Sequence, residues 1–109
     1  MSPSTAGELY IKLVGAALTR DTELVGNMDP FAVITYNGKE YKTKTLNDAG
    51  KNPNWYQSFD IEVLSLNDDI KIACFDEDYL SNKLIGEHTF KVRAICQTTL
   101  APRVIPLIF

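Results

Sequence analysis

The side chains best suited to chemistry in this sequence are loop carboxylates. Asp21, Glu23 and Asp29 share one polar stretch, 21–30, and Asp76, Glu77 and Asp78 another, each beside an alternating apolar run. Carboxylates gathered within a few Å repel one another and lose hydration, so such a cluster is held cheaply only around a cation. Calcium suits these donors, because it accepts about six to eight oxygen ligands in a loose geometry that flexible loops can supply. Magnesium demands a tighter octahedron. Zinc calls for cysteine or histidine, and Cys74, Cys96 and the single His88 do not cluster. The competing reading is a solvated, turn-forming rim, since Asp and Asn are favoured in loops for their bonds to backbone. One histidine, with no Ser-His-Asp, Cys-His or metalloprotease spacing, offers no catalytic centre, and no enzyme is expected.

For acids so far apart in the chain to meet, a scaffold must bring their loops together. Segments alternating apolar and polar residues recur between short turn-rich gaps, which predicts an antiparallel β-sandwich. A first strand is expected over 8–15, with Leu9, Ile11 and Leu13 on the buried face. Strands over 30–36 and 40–45 flank Asn37-Gly38, a tight-hairpin dipeptide because both residues tolerate positive φ. Two more are expected over 58–64, with Phe59, Ile61 and Val63 inward, and 69–75, with Ile70, Ile72 and Cys74 inward. A strand over 84–92, an irregular or helical stretch over 93–102 and a last strand over 103–108 complete seven. Loops from one end of both sheets of a sandwich cluster, so the two acidic stretches can converge.

The chain has 109 residues, room for one domain, and 45% hydrophobic against 23% charged residues is a folded composition. Residues 1–7 read as a flexible N-terminal segment and 8–109 as the domain. A net charge of −3 argues against nucleic-acid binding, which needs a basic face. Two cysteines are too few for a disulfide scaffold, and Cys74 in an apolar run reads as a buried thiol, so a reducing, cytoplasmic setting is expected. The start of the chain lacks the basic and apolar regions of a signal peptide, and no apolar run approaches the ~20 residues of a spanning helix. Any membrane contact would therefore be peripheral.

Several motifs, in order, carry a resemblance. Asn27-Met28-Asp29-Pro30-Phe31-Ala32-Val33 is similar to a Ser-Asp-Pro-Tyr-Val signature. Lys42-Thr43-Lys44-Thr45 follows, then Asn52-Pro53-Asn54-Trp55 with Ser58-Phe59, similar to an Asn-Pro-x-Trp-Asn-Glu-x-Phe segment, and finally Asp76-x-Asp78 and Ile85-Gly86. Together they resemble the C2 domain, the calcium- and lipid-binding module of protein kinase C and the synaptotagmins. The resemblance implies an antiparallel Greek-key β-sandwich of seven to eight strands in the permuted (type II) topology, an eighth strand being absent from those named above.

By the same resemblance Glu23, Asp29, Asp76, Asp78, the carbonyl of Glu77 and Ser81 would surround one calcium ion. Two departures stand out: Glu23 replaces the usual Asp, and Lys83 replaces the last acid, where a cation opposes a second metal. Leu24, Val25, Tyr79 and Leu80 would meet lipid, unless they tuck under the loops as local packing. Lys42, Lys44 and Lys83 are candidates for an anionic headgroup, although Lys42 and Lys44 could instead pair with Asp60 and Glu62 across a sheet. Pro53 and Trp55 read as scaffold, and His88 as solvent-facing. The implied function is calcium-dependent binding to an anionic phospholipid surface. The alternative is a calcium-independent protein-interaction module with a degenerate metal site.

Overall fold

The computed structural model describes residues 7–19, 23, 26–96 and 105–109. Among these, six strands and one helical turn follow in order: β1 Gly7–Gly15, β2 Pro30–Tyr36, β3 Lys39–Lys42, β4 Asn54–Val63, β5 Asp69–Asp76, β6 Lys83–Lys91 and α1 Val92–Ile95. They form two antiparallel sheets, β1-β4 and β3-β2-β5-β6. The core lies between them. Leu13, Ile61 and Val63 from the first sheet pack with Ala32, Ile34, Tyr36, Ile70, Ile72, Cys74 and Ile85 from the second. These positions are two apart along each strand, as period-two alternation requires. Leu9, Ile11 and Phe59 are only partly buried against that cluster.

The hairpin at Asn37-Gly38 closes with φ of 50° and 78°, values a two-residue loop of this kind demands and which Asn and Gly tolerate. Strand β3 ends at Lys42 rather than at the expected residue 45, because Thr43 turns its side chain into the ladder. Its Oγ1 accepts the Ala32 amide at 2.9 Å, while its own amide still reaches the Ala32 carbonyl. Strand β4 begins at Asn54, earlier than expected, since it pairs with β1 up to Gly15 through an irregularity between Leu13 and Gly15. A side chain at Gly15 would lie 2.4 Å from the Pro53 carbonyl oxygen. The glycine therefore lets the chain entering the first loop pass against the 46–53 loop, where the Ala16 amide bonds the same carbonyl at 3.1 Å.

The expected last strand reduces to a single parallel bridge between Ile108 and Ala17, residues 103–104 lying outside the described residues. The Ala17 amide bonds the Leu107 carbonyl, and Phe109 packs over Gly86 and stacks on His88. His88 is exposed as expected, but its ring is thereby a clamp, with Nε2 2.7 Å from the Ile108 carbonyl oxygen.

Candidate functional site

The site is built where β5 ends beside the start of β2. Pro30 and Asp76 are register partners, and across the next hairpin Asp76 pairs with Lys83. Asp76 is fully buried, a costly place for a carboxylate unless hydrogen bonds hold it. Its Oδ1 accepts the Asp29 amide at 2.8 Å, and the Asp29 carbonyl accepts the Glu77 amide at 2.9 Å. The start of the first acidic segment is thus stitched to the second, and the convergence expected of the two loops is present at Asp29 and Asp76.

The Asp29 carboxylate is also occupied: its Oδ1 accepts the amide of Asp48 at 2.6 Å. Asp48, at φ 60°, belongs to a third loop that sequence reasoning did not assign to the site. The turn-forming run Asn47-Asp48-Ala49-Gly50 was the signal that could have pointed to it. Trp55 and Pro53 are scaffold, both buried, the indole nitrogen donating to the Pro30 carbonyl at 3.2 Å.

Glu23 hydrogen-bonds Asp76, and this contact, followed by burial and the Asp76 charge, pushes the Glu23 carboxyl above its ordinary range. Asp78 moves the opposite way. Lys83 Nζ sits 3.1 Å from its Oδ2 and the Tyr79 amide bonds its Oδ1, both favouring the carboxylate. The Lys83 ammonium is held charged by Asp78 first, with Glu23 and Asp76 adding to the field. A lysine turned outward, one of the orientations open to it from sequence, is therefore not what is found. The ammonium stands among the acids as their counter-ion.

Around this cluster the expected residues are distributed unevenly. Glu77 and Ser81 are exposed, and Leu24 and Val25 lie outside the described residues. Tyr79 and Leu80 are 97% and 89% exposed, so the packing reading does not hold for them. Lys42 and Lys44 form no ion pair with Asp60 or Glu62: Asp60 faces Tyr10 across the β1-β4 ladder, and the Lys44 segment meets β4 through its backbone, its amide donating to Gln57 Oε1 at 3.0 Å. Instead Lys42 Nζ rests 4.2 Å from the centre of the Phe31 ring, itself stacked on Phe75. Cys74 is buried as expected, and burial pushes its thiol up to about 12.

Among the described residues no three His, Cys, Asp or Glu side chains are gathered closely enough to hold an ion as they stand. The chemistry of the donors nevertheless fits a hard divalent cation, since they are carboxylate oxygens at one tip. The Lys83 ammonium beside Asp78 shows that the tip accommodates positive charge.

The C2 domain family model matches residues 7–107, and the chain belongs to that family. A rice (Oryza sativa subsp. japonica) protein, Elicitor-responsive protein 3, is 31% identical over 82% of this chain and 62% of its own length. A single C2 domain of plant extended synaptotagmin 1 superposes with a TM-score of 0.75 at 21% identity, over 83% of this chain and 72% of that one. The tandem C2 domains of extended synaptotagmin 2, in a calcium-bound structure, give 0.77 at 20% identity, over 86% of this chain and 37% of that one. At such identities the structural likeness establishes the fold. A domain of this fold is a lipid- or calcium-binding or protein-interaction module. Among the described residues no helix is long and apolar enough to cross a membrane.

Proposed function

We propose that this C2 domain is a calcium-dependent peripheral module that docks on anionic phospholipid surfaces. The observation that carries the reading is the pair Tyr79 and Leu80, left 97% and 89% exposed on a loop that starts and ends at the acidic tip. Exposing large apolar side chains there is understandable if a bilayer receives them. Burying both would contribute about 3–5 kcal/mol, enough for modest affinity and no more. Asp29, Asp76 and Asp78, with Glu23, are the residues that would hold one calcium ion. When bound, the ion supplies positive charge that cancels the repulsion between an acidic tip and an anionic leaflet. The calcium-bound extended synaptotagmin 2 pair, which shares the fold, supports the choice of metal.

A second reading, a calcium-independent protein-interaction module, is favoured by one observation: Lys83 already supplies a cation to Asp78. Sedimentation with phosphatidylserine-containing vesicles, in calcium or in excess chelator, separates the two. The protein is expected to pellet with vesicles in calcium alone, and a Tyr79→Ser/Leu80→Ser double variant to stay in the supernatant. Pelleting that ignores the chelator, or none in calcium, rules the first reading out.

A further inference from the structure

Lys83 is the first residue of β6 and the register partner of Asp76, the last residue of β5. Cross-strand partners lie about 5 Å apart at Cβ, so the lysine is anchored beside the buried acid whichever way its flexible stem turns. In the free protein it turns to Asp78, at 3.1 Å, with side chains 40% and 34% exposed. The same loop, six residues long between Asp76 and Lys83, carries the exposed Tyr79 and Leu80. Any anionic surface met by those two residues is thus also offered to the Lys83 ammonium.

We infer that Lys83 is an exchangeable tethered cation: it occupies Asp78 in the free protein and leaves it for a phosphate oxygen at an anionic surface, so that Asp78 becomes available to calcium. The inference rests on the calcium-dependent reading and adds a determinant of affinity to it. Two consequences follow from electrostatics. In solution the ammonium competes with the metal for Asp78 and repels it, which weakens calcium binding. At the bilayer the same charge is attracted to phosphate, so lipid and calcium strengthen each other's binding by equal factors, as linkage requires. Part of that mutual strengthening belongs to this one side chain.

The test is a calorimetric calcium titration of the wild type, Lys83→Gln and Lys83→Arg, each in three settings. These are buffer, phosphatidylserine-containing vesicles, and the soluble headgroup glycerophosphoserine at the same phosphate concentration. In buffer Lys83→Gln is expected to bind calcium roughly tenfold more tightly than the wild type, while Lys83→Arg, which keeps the charge, stays within about twofold of it. Vesicles should strengthen calcium binding by a markedly larger factor in the wild type and Lys83→Arg than in Lys83→Gln. The soluble headgroup should do little, since a single phosphate lacks the surface that Tyr79 and Leu80 engage. Equal affinities of wild type and Lys83→Gln in buffer, or equal gains on vesicles, overturn the exchange while leaving calcium-dependent docking standing. A gain from soluble headgroup matching that from vesicles overturns its dependence on a surface. Calcium binding by none of the three proteins in any setting overturns both the exchange and the reading beneath it.

Discussion

Asp76 is fully buried, and one of its oxygens accepts the Asp29 amide at 2.8 Å while Glu23 bonds the same side chain. Its hydrogen-bonding role and its charge can be separated by substitution. Asp76→Asn keeps an oxygen for the Asp29 amide and removes the charge, so urea unfolding should move by less than about 1 kcal/mol. Asp76→Ala strands that amide, and stability should fall by about 1–3 kcal/mol. Calorimetry should find calcium affinity lost in both. If Asp76→Asn unfolds as easily as Asp76→Ala, the hydrogen bond is not what ties the two loops together. At this scale the sequence pointed to Asp29 and Asp76, which do meet, because carboxylates beside strand ends are visible in a linear pattern. It did not reveal what they touch. That Asp29 is bonded by Asp48 depends on separate loops meeting in space, and that Lys83 faces Asp78 depends on how one hairpin folds back on itself.

Strands were the most legible part of the molecule, for the alternation that marks them is the alternation that builds the core. Ile70, Ile72 and Cys74 fall on one buried face as the pattern required, and the Asn37-Gly38 turn sits where two residues of positive φ are needed. Less legible were strand ends and the assignment of strands to sheets. By spacing, Lys42 and Lys44 could pair with Asp60 and Glu62, yet the β4 ladder is formed with β1, where Asp60 faces Tyr10, a choice made by packing of whole sheets rather than by local pattern. Within β4, Tyr56 adopts φ 50° and is 64% exposed, at the place where the similar family segment carries Asn. A left-handed backbone costs a bulky residue about 1 kcal/mol more than it costs Asn. Against this, Lys12 Nζ lies 5.7 Å from the Tyr56 ring centre, an exposed cation–π contact worth about 0.5 kcal/mol. Tyr56→Asn is therefore expected to stabilise the fold by about 0.5 kcal/mol and raise the thermal midpoint by roughly 2–4 °C. A midpoint that falls would mean that the ring, not the backbone, dominates at this position.

Taken whole, the molecule carries a net charge of −3 and places buried Asp76 at the same tip as Asp29, Asp78 and Glu23. Concentrating acids at one end works against folding, and the Lys83 ammonium beside Asp78 offsets part of that repulsion. An ion that binds the folded tip and not the unfolded chain should therefore stabilise the entire domain, since the loops it joins are continuous with β2, β5 and β6. At a calcium concentration about a hundred times its dissociation constant, the gain is about 2.7 kcal/mol. For a domain of this size that corresponds to a rise in thermal midpoint on the order of 10 °C. Magnesium at the same concentration should give much less, because its tight octahedral shell is poorly served by loop oxygens already committed to backbone amides. The measurement is a thermal melt followed by circular dichroism in chelator, in magnesium and in calcium up to millimolar levels. Should calcium leave the midpoint where the chelator leaves it, the carboxylates are a solvated rim neutralised by their own lysine. The domain would then have to work through its apolar loop or its sheet surfaces without a metal.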